Sequence, residues 1–80
     1  MKVLLIDDHP LILAALQSVI QGLGDNVVVS SASSGRAARD MLRNDSTFEL
    51  VLLDLHLGDA DGFDLLTEFR AAYPCLLYTS

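Results

Sequence analysis

Eighty residues make one small domain at most, and a chain this short buries only somewhat more than about 60% of its unfolded surface, so its stability margin is thin. With 51% of residues apolar, it predicts a well-covered sheet or a piece of something larger. Eleven acids against five Lys and Arg give a net charge of −6, which argues against direct nucleic-acid binding, because that needs a basic face.

The first element is Val3–Ile6, a continuous apolar run that reads as a fully buried strand and ends in two adjacent aspartates, Asp7 and Asp8. Pro10 then starts a helix, where a missing N–H costs nothing. Ile12, Leu16, Val19, Ile20 and Leu23 recur at helical spacing and are its expected inner face, with Gly22 and Gly24 as its stop. Val27–Val29 is a short β-branched strand. Ser33-Ser34-Gly35 opens a second helix with Ala38, Met41 and Leu42 inward, broken by Asn44-Asp45-Ser46.

Leu50–Leu53 is a third buried strand and again ends in an aspartate, Asp54. The loop "LHLGDADG" follows, and Asp61 is expected to cap the next helix, with Asp64 favourable in its first turn. Leu65, Leu66, Phe69 and Tyr73 form that helix's apolar face, and Pro74 ends it. Cys75–Tyr78 reads as a fourth strand. Strand and helix alternate throughout, which predicts an α/β doubly wound parallel sheet with helices on both faces. Sites in such sheets lie beyond the carboxyl ends of the strands, where strand order reverses.

Asp7, Asp8 and Asp54 all fall at such ends. If the first and third strands are neighbours, about 5 Å apart, the three carboxylates share one crevice. Two carboxylates about 4 Å apart repel by roughly 4 kcal/mol at an effective dielectric of 20. Something must offset that: raised pKa values, a lysine or a metal ion. Oxygen-only ligands suit Mg²⁺. Any one of these aspartates alone is as well read as a helix cap or solvated turn. The repeat of the pattern, strand then aspartate, favours a site.

"VLLIDDHP" (Val3–Pro10), "LVLLDLHLGDADG" (Leu50–Gly62) and the layout between them resemble a response-regulator receiver domain, the phosphoacceptor of two-component signalling. "DDHP" before a leucine-rich helix is similar to receivers of helix-turn-helix transcription factors. The resemblance covers residues 1–74 and implies a flavodoxin-like fold, here with four strands in the order 2-1-3-4 and three helices. It implies that Asp54 is the phosphorylated aspartate, that Asp8 binds Mg²⁺ directly, that Asp7 does so directly or through water, and that His56 gives the ion its backbone carbonyl. It also implies a sensor histidine kinase as partner, a cytoplasmic location, signalling rather than enzymatic turnover, and DNA contact only through a separate output domain.

The chain departs from the family in two ways. Gly58 stands where proline is common. The family's fifth strand, two further helices and phosphoryl-binding lysine have no counterpart in residues 1–80, so the sequence is expected to represent the N-terminal two-thirds of a receiver. Thr79 falls where the family's switch Thr/Ser stands. Two readings of residues 75–80 stay open, a genuine strand or a non-native tail. An uncovered fourth strand invites pairing with another chain, so the isolated chain is expected to be marginal or self-associating and a poor phosphoacceptor.

Other signals read more plainly. A single cysteine, Cys75, forms no internal disulfide and suits a reducing compartment. No apolar stretch approaches the about 18 residues of a membrane span, and the first apolar run is too short for a signal peptide. Asp59, Asp61, Gly62 and Glu68 mimic part of a calcium loop, but Leu57 would hold its first ligand position. Gly22-Leu23-Gly24 follows a helix and is no dinucleotide fingerprint. His9 is expected as a cap or surface residue, and Arg36, Arg39 and Arg43 as a solvated face. A Mg²⁺-dependent phosphatase with an aspartate nucleophile is the enzyme alternative, but Asp7-Asp8-His9-Pro10 does not fit its D-x-D-x-[TV] pattern. A receiver-like interaction domain that never takes up phosphate is the third reading, and Asp54 beside an intact acid pair argues against it.

Overall fold

The computed structural model describes residues 1–54, 62–73 and 77–79. The chain runs β1 (Lys2–Ile6), α1 (Pro10–Gln21), β2 (Val28–Ala32), α2 (Gly35–Asn44), β3 (Leu50–Leu53), α3 (Gly62–Ala72), β4 (Leu77–Thr79). The strands form one parallel sheet, as the alternation predicts, in the order β2-β1-β3-β4 that the family resemblance implies. β1 pairs from Lys2↔Val28 to Ile6↔Ala32 on one side and from Val3↔Leu50 to Ile6↔Leu53 on the other. β2 extends past the predicted valines into Ser30 and Ser31. As an edge strand it needs only one ladder, so two serines are tolerated there.

Side chains alternate across the sheet, and two cores result. Leu4, Ile6, Val51 and Leu53 point to one face, under Ala38, Leu42, Leu65 and Phe69 of α2 and α3. Phe48, just before β3, completes this layer at 5% exposure, a core residue that periodicity alone does not mark. Val3, Leu5 and Val29 point to the other face, under Leu13 and Ile20 of α1. Each fully buried side chain of this size is worth about 1.5–3 kcal/mol, so the first layer holds most of the stabilisation.

α2 begins as predicted. The Ser34 hydroxyl accepts from the Ala37 N–H at 3.1 Å, a cap worth about 1 kcal/mol. α1 differs from expectation: none of its residues is buried. Ile12, Leu16, Val19 and Leu23 were the expected inner face, yet they are 39% to 77% exposed, and of that set only Ile20 packs on the sheet. The reason lies in the helix's composition. Apolar residues occur on two sides of "PLILAALQSVIQ", so the period alone does not choose which row faces inward. The row Leu13, Gln17, Ile20 does. The predicted Asp61 cap, Gly58, Asp59, Pro74 and Cys75 lie outside the described residues.

Candidate functional site

The backbone sets the site. Asp7 N–H donates to Ala32 C=O at 3.1 Å, and Asp54 N–H donates to Ile6 C=O at 2.8 Å. Both parallel ladders therefore continue one residue past the strands, and Asp7 and Asp54 leave neighbouring strand ends at the point where strand order reverses. Asp7, Asp8, His9 and Asp54 each offer a ligand atom, and these four atoms lie within 4.8 Å of one another. The structure thus brings together the three predicted aspartates.

It adds a fourth group. His9 precedes α1 in extended backbone (φ −102°, ψ 103°), but its side chain makes no cap hydrogen bond. Its Nδ1 lies 2.6 Å from Asp7 Oδ1, 3.0 Å from Asp8 Oδ1 and 3.7 Å from Asp54 Oδ2. Its backbone N–H also donates to Asp7 Oδ1 at 2.9 Å. The expectation of a cap or surface role is half right: His9 stands at the cap position and its side chain is 57% exposed, yet the ring turns to the carboxylates. A histidine directly after two aspartates was the available signal. Its direction could not be read without the backbone.

Electrostatics follow from these contacts. Burial pushes the Asp7 carboxyl up, but hydrogen bonds from the His9 ring and backbone, with the ring's charge, outweigh it and hold Asp7 below its ordinary value. The hydrogen bond to Asp7 pushes His9 up, joined by the charge of Asp8, against a smaller opposing effect of burial. Because the folded His9 value is raised, its pairing contributes fully below the ordinary imidazole value. That contribution is lost as pH rises through the raised one. Asp7, being lowered, contributes above the ordinary carboxylate value and loses this as pH falls through the lowered one. The pair therefore supports the fold between these limits. Asp7→Asn is expected to return His9 toward its ordinary value, read by NMR titration of the ring. A His9 already titrating at the ordinary value in the native chain would show the pairing absent.

The donors fit a hard divalent cation. Three carboxylates converge, and Asp8 Oδ1 is closed to solvent without a hydrogen bond, its 3.0 Å approach to His9 Nδ1 lacking hydrogen-bond geometry. Leu5, Ile12, Leu16 and Leu52 line a groove of about 450 Å³ together with Asp7, His9 and Asp54. His56 lies outside the described residues. Thr79 stands on β4 opposite Leu52, two residues before Asp54 on the neighbouring strand, and its side chain lies outside the described residues. Arg39 is not simply solvated: it binds Glu68 at 2.8 Å and ties α2 to α3. No described helix is long and apolar enough to cross a membrane.

Comparison with known proteins gives a consistent result. The profile of the response regulator receiver domain matches residues 3–80. The aerobic respiration control sensor protein ArcB of Escherichia coli (strain K12) is 38% identical over 74 residues, 92% of this chain and 9% of that protein. The transcriptional regulatory protein ZraR of the same organism is 35% identical over 74 residues, 92% of this chain and 16% of that protein. The response regulator TrrA of Thermotoga maritima, solved in complex with Mg²⁺-BeF, has a TM-score of 0.86 at 22% identity, covering 96% of this chain and 64% of that one. The chain thus spans a small part of its curated relatives.

Proposed function

This chain belongs to the response regulator receiver family, and on that premise we propose that Asp54 accepts a phosphoryl group from a phosphohistidine on a sensor histidine kinase. The convergence of Asp7, Asp8 and Asp54 at two adjacent strand ends is the observation that carries this reading. An Asp54 carboxylate oxygen attacks phosphorus in line. A P–O bond forms, the P–N bond breaks, and the departing imidazole takes up a proton. Asp7 and Asp8 would hold Mg²⁺, with the His56 backbone carbonyl as a further ligand. When bound, the ion neutralises charge on the cluster and on the phosphoryl oxygens. Asp54 lines the groove, which offers a donor a route to it.

In this reading the domain signals and does not turn over a substrate. Thr79, at the end of β4, is the switch residue that senses the phosphoryl group. Residues 1–80 form the N-terminal two-thirds of the receiver unit, and the domain works in the cytoplasm. Its output passes to another domain, for which a DNA-binding regulator is the favoured type because ZraR is a transcriptional regulatory protein.

Beryllofluoride, which mimics the acyl phosphate, tests the site without a kinase. With Mg²⁺ it is expected to shift the backbone amides of Asp7, Asp8, Asp54 and Thr79 saturably. The shifts should vanish in Asp54→Ala. A folded sample with no response to either reagent would leave the chain with the receiver's fold and without its chemistry.

A further inference from the structure

We propose that His9 is a fourth donor of the cation site, and that its imidazole gives this site a high-affinity mode for a nitrogen-accepting divalent cation such as Zn²⁺, beside the Mg²⁺ mode. The inference rests on the reading of Asp7, Asp8 and Asp54 as cation holders.

The geometry is the first support. A cation bonded at about 2.1 Å to nitrogen and oxygen sets adjacent donors about 3.0 Å apart in an octahedron and about 3.4 Å apart in a tetrahedron. His9 Nδ1 lies 2.6, 3.0 and 3.7 Å from oxygens of Asp7, Asp8 and Asp54. These separations bracket both values, so an ion can replace the Nδ1 proton as the carboxylate oxygens, all within 4.8 Å of one another, draw together around it. The ring is available for this. It makes no cap hydrogen bond to α1, and the cap position is fixed through the backbone N–H that Asp7 accepts. Asp8 Oδ1, buried without a hydrogen bond, has lone pairs to give.

The chemistry is the second support. Mg²⁺ is hard, prefers oxygen and keeps several waters, so it gains little from an imidazole. Zn²⁺ takes imidazole and carboxylate together in four-coordinate sites. One nitrogen and three carboxylate donors match that preference and not the all-oxygen preference of Mg²⁺.

The test is a calorimetric titration of the metal-free 80-residue chain with Zn²⁺ and, separately, with Mg²⁺. His9→Gln and Asp8→Asn are compared, and NMR follows the His9 ring nitrogens. His9→Gln is expected to weaken Zn²⁺ binding by at least the about tenfold that losing even an outer partner of a metal ligand costs, while Mg²⁺ affinity stays within about twofold. Asp8→Asn should weaken both ions, and Zn²⁺ should move Nδ1 rather than Nε2. His9 is largely exposed, so its replacement leaves the core intact, and the ring readout is made on the unaltered chain. If His9→Gln leaves Zn²⁺ binding unchanged, or Zn²⁺ perturbs only His56 and Cys75, the proposal falls and the phosphoacceptor reading stands. If neither ion binds the folded chain, both fall.

Discussion

Asp54→Asn is expected to reduce phosphoryl uptake from a phosphoramidate donor with Mg²⁺ to background, a loss of more than about a thousandfold, the scale on which removal of a nucleophile acts. Uptake is read as the mass of one phosphoryl group on the intact chain. The amide keeps the shape and the Asp54 N–H bond to Ile6 C=O, so fold and position survive while the nucleophilic oxygen is gone. Phosphoramidate carries the same P–N bond that phosphohistidine presents, so the chemistry is tested without the kinase surface. The label should be lost in alkali, as an acyl phosphate is. Uptake by the unaltered chain is expected to be slow, yet wholly dependent on Asp54. A variant that still gains the mass, or a label that survives alkali, would move the phosphoacceptor elsewhere. The same variant removes one of three converging negative charges, so it is also expected to melt no lower than the parent.

Phe69→Ala is expected to cost about 3–5 kcal/mol. Phe69 is 1% exposed, sits in the core layer under α2 and α3, and meets Tyr73 edge-on with ring centroids 6.4 Å apart. A domain of this size has a total stability of about 4–12 kcal/mol, so the loss takes a large share and unfolds much of the population at the low end. Denaturant unfolding followed by circular dichroism measures it. Leu13→Ala on the opposite face, where the side chain is only half-buried, should cost much less. Equal costs on the two faces would contradict the unequal cores described above.

The centre of the sheet was legible because β1 and β3 each pair on two sides and pack under helices, and so read as short unbroken apolar runs. Val3–Ile6 and Leu50–Leu53 needed no partner to be seen. Their neighbour relation came from topology, and it is what joins Asp7 and Asp8 to Asp54 across more than forty positions of sequence. The inward row of α1 was not legible. A helix with apolar residues on two sides is oriented by what it meets, and only the sheet decides between the Leu13–Ile20 row and the Ile12–Leu16 row. Phe48 was missed because it stands outside any periodic segment. There it lies beneath the ammonium of Lys2, 4.8 Å from the ring centroid, and Lys2 also pairs with Asp45. His9 was half legible, for a different reason. Its residue type and exposure suit a cap, and only the backbone conformation at the strand–helix junction reveals that its ring turns back to the carboxylates.

The absence of any buried side chain on α1 has a consequence for how the molecule opens. Elements with few buried apolar contacts separate from the rest at a free energy well below that of global unfolding, and α1 is the described helix that best meets this condition. Its first residue, Pro10, follows directly on Asp7, Asp8 and His9, so the junction that carries three of the four site groups is also the hinge on which α1 would lift away. An ion held there ties this least protected unit to β3 through Asp54. The amides of α1 would then slow their exchange with solvent on ion binding, while those of β1, limited by global unfolding, would follow only the overall gain in stability. With an ion bound, the charge cluster would act as a fastener whose closure sets the ruggedness of a whole helix.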